Sequence, residues 1–306
     1  MTASLRALLA GVIDYAGLFP PAALPLDAAI GKYARYLKSD DRWMLARFIC
    51  PTTRLPELLP YLNQLFGDEP GVSIAALGRG GKDGWDLVAN LESDLQEVSR
   101  FRSVAGPKAV VDVLEMRLPA DALSSGEILD QVAGRAADHN LRVFLEVPMT
   151  PGLDQSVASV AGNLAARQAG FKLRTGGTEP AAFPPSQTIA RTLVACRDAR
   201  CALKFTAGLH HPIRQYHDSV GTRMHGFLNV LVAAVLACTH NMDLHGVTEV
   251  LECESAADFA FDEHALRWKT LCASRHRIEQ VREQVVSFGS CSFDEPREDL
   301  RSLGWL

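Results

Sequence analysis

Two lysines stand where a buried strand is expected to be apolar. Lys172 lies in FKLRTGG and Lys204 in ALKFTAG. Residues i and i+2 of a strand face the same side, so Lys172 and Arg174 project together. If both lysines enter one cavity, their ammonium groups repel each other, and burial also disfavours the charged form. Both effects lower a lysine pKa. A free amine attacks a carbonyl to form a Schiff base, whose iminium draws electrons from a neighbouring C–C bond. Such chemistry needs proton carriers, and carboxylates occur in other strand-like runs: Asp14 in GVIDYAGL, Asp112 and Glu115 in VVDVLEM, and Glu146 in VFLEVP. Asp112, Glu146 and Asp14 are the expected proton shuttles beside Lys172 and Lys204. Arg47 in MLARFIC, Glu115 and Arg174 are expected to contact substrate. Arg174 is a planar fork beside the reactive lysine and suits a carboxylate.

Regular elements must carry these charges. Short apolar runs at Gly11–Leu18, Met44–Cys50, Val72–Leu77, Ala109–Met116, Arg142–Pro148, Phe171–Thr175, Ala202–Ala207 and Val286–Phe293 are predicted strands. Amphipathic stretches at Leu26–Leu37, Leu55–Phe66, Asp86–Val98, Glu127–His139, Gln155–Gln168 and Gln187–Ala199 are predicted helices between them. This alternation implies βαβ units and a parallel sheet. The first seven runs recur about every 27 to 38 residues, the rhythm of a (β/α)₈ TIM barrel. About 80 residues separate the seventh run from the eighth, so a helical insertion is expected at about 212–285, with 1–306 forming a single barrel domain. Barrel strands are buried on both faces, which makes charges inside them expensive. Charges repeated just before the C-terminal strand ends therefore point to a site at that end of the barrel.

The same motifs resemble the deoxyribose-phosphate aldolase family of class I aldolases. K-x-x-T-G on the sixth strand, K-x-T-A-G on the seventh and FGSCS on the eighth carry the resemblance. IDYAGL, FICPT and VDVLEM are similar to that family's first, second and fourth strands. The resemblance implies a TIM barrel in which Lys172 forms the Schiff base, Lys204 depresses its pKa and Asp112 relays protons. It also implies substrate contacts from Thr175 and Gly176 on the sixth strand and Thr206 and Gly208 on the seventh. Gly289, Ser290 and Ser292 would form an anion-binding end on the eighth. The chain departs from the pattern at Leu209, where the family has a second glycine, at Arg174, where it has a small polar residue, and in the long insertion. These departures point away from a phosphorylated deoxysugar and toward a carboxylated carbonyl substrate.

GLHHPIRQYHDSVGTRMHGF places His210, His211, His217 and His225 within 16 residues. His210 and His211 follow the seventh strand and are expected to contact substrate or exchange protons. An alternative is a metal-assisted lyase, isomerase or hydrolase in which His210, His211 and His225 join Glu115 or Glu146. A second alternative is a non-catalytic barrel that binds an anionic metabolite. Cys50 and Cys291 lie near the expected mouth as candidate nucleophiles. GRGGKDG (Gly78–Gly84) and PAAFPPS (Pro180–Ser186) are predicted loops, and FDEPREDLRSLGWL a capping helix.

Composition narrows the classes. Thirty-one Lys+Arg against 36 Asp+Glu give a net charge of -5, with no basic block, so no nucleic-acid partner is expected. The longest apolar stretch, Gly226–Cys238, is short of the ~20 residues a bilayer requires, so no membrane partner is expected. That stretch is a candidate homodimer contact. The first residues, MTASLRALLAGVIDYAGLF, read as a strand rather than an export signal. Seven cysteines without a CxxC pair suit reduced thiols and a cytoplasmic location. The expected activity is an aldolase-type lyase acting on a small carbonyl substrate through a Schiff-base lysine, with no cofactor and no metal.

Overall fold

The computed structural model describes residues 1–67, 71–149 and 153–306. Eight parallel strands close into a barrel: β1 (Ile13–Tyr15), β2 (Leu45–Pro51), β3 (Val72–Leu77), β4 (Ala109–Arg117), β5 (Arg142–Glu146), β6 (Gly170–Arg174), β7 (Leu203–Thr206) and an eighth strand, Val285–Ser290. Each pairs with its chain neighbour, and the eighth closes the ring between β7 and β1. All eight predicted strands are present in the predicted order.

Two apolar layers hold the barrel. Side chains that point outward, such as Phe48, Leu145, Phe171, Phe205 and Phe288, are buried beneath the surrounding helices. Inside, Ile49, Ala75, Val113 and Phe144 form a smaller plug. Phe144 explains the glycine that opens β6. Gly170 is its register partner, and a Cβ at Gly170 would lie 2.3 Å from the Phe144 ring. A methyl group there does not fit without moving a rigid aromatic ring.

The N-terminal residues differ from expectation. Ala3–Leu9 is a helix, and the first strand covers only Ile13–Tyr15. Leu5, Leu8 and Leu9 repeat at the three- and four-residue spacing of one helix face and are buried together.

The segment between β7 and the eighth strand is helical only in part. A hairpin pairs Gln215–His217 with Thr222–Met224. Helices Phe227–His240 and Leu244–Glu252 follow, then a three-stranded antiparallel sheet of Phe259–Phe261, Ala265–Trp268 and Leu271–Ser274. Of the charged helix expected across His264–Gln284, only Arg275–Gln284 is helical. Asp262 breaks it by accepting the backbone N–H groups of His264 and Ala265 at 2.8 and 2.9 Å, and Lys269 turns the hairpin with φ +50°. Residues Phe227–Ala237 are buried within their own chain, so the apolar helix offers no free face for the expected homodimer contact. Among the described residues, no helix is long and apolar enough to cross a membrane.

Candidate active site

Glu146, Lys172 and Lys204 are register partners on three successive strands, β5, β6 and β7. Such partners sit about 4.8 Å apart across a sheet, so their side chains enter the barrel side by side. Glu115, projecting from β4, meets both lysines. Its Oε2 lies 2.8 Å from the Lys172 ammonium, and its Oε1 accepts from Lys204. Lys172 also lies 2.9 Å from Glu146 Oε2, and Arg174 Nε donates to Glu146 Oε1 at 3.0 Å. Deeper in the barrel, Lys204 lies 2.7 Å from Asp14 Oδ2. Asp14 accepts the Arg47 backbone N–H at 2.9 Å and the Ser287 hydroxyl. Three carboxylates thus face three cations in one connected cluster.

This cluster overturns the expected depression of a lysine pKa. Burial works against the Lys172 ammonium, but Glu115 and Glu146 outweigh it, and the Lys172 pKa is raised. Burial likewise opposes ionisation of Glu115, yet Lys172 and Lys204 hold its pKa at about 2. Glu146 is lowered as well, with Lys172 and Arg174 outweighing its burial. The physical reason is the placement of Glu115. A carboxylate between two ammonium groups turns their repulsion into shared attraction.

A cavity of about 410 Å³ opens above the cluster at the C-terminal strand ends. Lys172, Glu115, Glu146 and Arg174 line its charged side, and Thr206, Gly208, His210 and Gly289 continue the wall. The other side is apolar: Ala16, Phe19, Pro20, Pro21, Ile49 and Leu77. Lys204 and Asp14 are buried beneath Glu115 and do not line the cavity.

Several expected site residues lie elsewhere. Asp112 and Arg47 form a two-pronged ion pair with each other, Nε to Oδ1 at 2.7 Å and Nη2 to Oδ2 at 2.6 Å, and neither lines the cavity. The register shift between β3 and β4 at Ile74/Ala75 falls opposite Asp112, which pairs with Arg47 rather than with Lys172 or Lys204. Thr175 is fully buried, and its hydroxyl donates to the Ala207 carbonyl. Gly176 lets the ends of β6 and β7 close together, because its Cβ would lie 2.7 Å from Gly208 Cα. Gly208 turns the chain with φ +76°. Ser290 donates to the Ser292 carbonyl at 2.7 Å, and Ser292 Oγ accepts the Glu295 N–H at 3.1 Å, so both serve the start of the C-terminal helix Asp294–Ser302.

His210, His211 and His217 gather beside the C-terminal helix Asp294–Ser302, and His225 lies apart from them. His210 pairs with Glu295 at 3.0 Å, and His211 pairs with Asp299 at 2.6 Å while stacking on His217. His225 is buried and hydrogen-bonded through Nε2 to the Pro184 carbonyl at 2.8 Å. Its pKa is lowered to about 4, chiefly by burial. Among the described residues, no three His, Cys, Asp or Glu side chains are arranged to hold a metal ion. Burial pushes the Cys50 thiol up to about 12 and raises that of Cys291, the opposite of an activated nucleophile. In the Gly78–Gly84 loop, Arg79 is tied to the buried Asp94 through its backbone N–H and its guanidinium.

Sequence reasoning missed the apolar wall. Phe19-Pro20-Pro21 lies in the loop that follows β1, on the C-terminal face of the barrel, and that position was the available signal.

No protein-family model matches this chain, and no curated protein does. Among solved structures, it is similar in fold to the tetrameric deoxyribose phosphate aldolase from Aeropyrum pernix. The identity is 11%, the TM-score 0.51, and the likeness covers 98% of this chain and 97% of that one. A putative deoxyribose-phosphate aldolase from Toxoplasma gondii ME49 matches at 9% identity and a TM-score of 0.37, over 80% of this chain and 71% of that one. The first likeness shows a shared barrel fold and speaks to the fold alone.

Proposed function

We propose that this protein makes or breaks a C–C bond beside a carbonyl group through a Schiff base on Lys172. One observation carries the proposal: the Lys172 amino group reaches the cavity floor with two carboxylates, Glu115 and Glu146, within 2.9 Å. At rest it is an ammonium. Transfer of its proton to Glu146 frees the amine, which attacks the substrate carbonyl. Glu146 then returns the proton to the carbinolamine hydroxyl, which leaves as water. The iminium accepts the electron pair of the breaking C–C bond, while a carboxylate takes the proton of the substrate's β-hydroxyl group. Protonation of the enamine and hydrolysis restore Lys172. Lys204 and Asp14 act as positioning residues that hold Glu115 from below. Among the described residues, Arg174 uses only its Nε, on Glu146, which leaves its terminal nitrogens to a substrate carboxylate.

The fully paired charges also favour a second reading, an anion-binding barrel without turnover. Borohydride trapping separates the two. With pyruvate or simple aldehydes, the proposal expects a reduced adduct at Lys172, identified by mass spectrometry and lost in Lys172→Met. Absence of any such adduct discards the catalytic reading.

A further inference from the structure

We infer that the substrate is an oxo acid bearing an apolar group, rather than a sugar. This deepens the Schiff-base reading and rests on it.

The geometry divides the cavity by strand. In the closed ring β2 lies four strands from β6 in either direction, so Ile49 on β2 stands across the barrel from Lys172 on β6. Leu77 at the end of β3 and Phe19 and Pro21 after β1 extend the same wall. The side chains of these four residues have no hydrogen-bonding group. Gly289 keeps the space beside them open, since a Cβ there would lie 3.2 Å from Ile49 Cδ1. A polyol placed across this cavity would press its distal hydroxyls on carbon. Each unpaired hydroxyl weakens binding by roughly tenfold or more. An alkyl or aryl group gains there instead.

The two walls together set the orientation. The carboxylate of a 2-oxo acid meets the terminal nitrogens of Arg174, which have no partner among the described residues and share a face with Lys172 two residues away. The adjacent carbonyl carbon then meets Lys172. The substituent beyond the scissile bond extends toward Ile49, Leu77 and Phe19. For the aldol adduct of pyruvate and benzaldehyde, the iminium forms at the oxo carbon and one water leaves. The bond between the methylene and carbinol carbons breaks, and its electron pair passes into the iminium. The carbinol proton goes to a carboxylate and benzaldehyde departs. The enamine takes one proton, and one water releases pyruvate and restores the Lys172 ammonium. No oxidant, reductant or further reactant enters.

The test compares release of benzaldehyde from that adduct with cleavage of deoxyribose phosphate by the full chain, with borohydride trapping at Lys172 run alongside. The expected result is a kcat/KM roughly 100-fold or more higher for the aryl compound, with that preference reduced in Phe19→Ser. Equal or better cleavage of the sugar phosphate overturns the inference and leaves the Schiff-base reading standing. Trapping of pyruvate at Lys172 without cleavage of the aryl adduct also overturns it. No adduct at Lys172 with any compound overturns the Schiff-base reading itself.

Discussion

Lys172 and Lys204 are register partners on adjacent strands, yet their ammonium groups sit on opposite oxygens of one carboxylate, Glu115. Everything expected of the site follows from that bridge. It stabilises two buried cations that would otherwise repel, and it keeps the cavity-lining lysine protonated until a proton is moved.

The pH dependence of Lys172 reactivity should therefore respond to its carboxylates. Glu146 helps to raise the Lys172 pKa, so Glu146→Gln should lower it. In borohydride trapping, the midpoint of the rate-against-pH curve should move to lower pH. Turnover should also fall, on the order of 100-fold, if Glu146 carries the proton. A midpoint that stays in place or moves upward contradicts the electrostatic account.

Lys204 should matter for stability more than its lack of cavity exposure suggests. Lys204→Met leaves Asp14 and Glu115 buried with one cation fewer and should cost about 3–5 kcal/mol in urea unfolding. The double variant Lys204→Met/Glu115→Gln removes one of the stranded charges and should recover part of that loss. A single variant as stable as the parent would remove the case for a shared bridge.

Gly170→Ala should destabilise by about 1–3 kcal/mol, because its methyl group meets the Phe144 ring. Pairing it with Phe144→Leu should restore part of the stability by making room. Thermal melts of the two variants decide the point, and a neutral Gly170→Ala would show that the ring moves freely.

His225 should contribute to acid lability. Its native pKa of about 4 lies below the ordinary 6.5, so the unfolded chain binds this proton first. Its contribution to stability is complete above pH 6.5 and is lost as the pH falls from there toward 4, by about 3 kcal/mol in all. His225→Gln keeps a donor for Pro184 without titrating, and its unfolding free energy should fall less over that window. Parallel curves for parent and variant would assign the acid loss to other groups.

The barrel was legible because its signal is local and repeated. Eight apolar runs separated by amphipathic helices admit few closed arrangements, and charges in FKLRTGG, ALKFTAG and VFLEVP stand out against them. Asp112 and Glu115 show where this reading stops. They lie three residues apart on one strand, and alternation alone cannot say which meets the lysines when a register shift falls at Asp112. The small sheet around Asp262 escaped notice because a few turn hydrogen bonds, rather than a long period, create it.

The sequence by itself determined the order of strands and helices and which strands carry Lys172, Lys204 and Glu146, since hydrophobic period and strand alternation act over a few residues. Only the tertiary structure decided the charge state of the site and the character of its opposite wall. Ion pairing and cavity shape depend on groups from β1, β4 and the loop at Phe19–Pro21, far from the lysines in the chain, and they change with displacements of a single ångström that no pattern of residue types records.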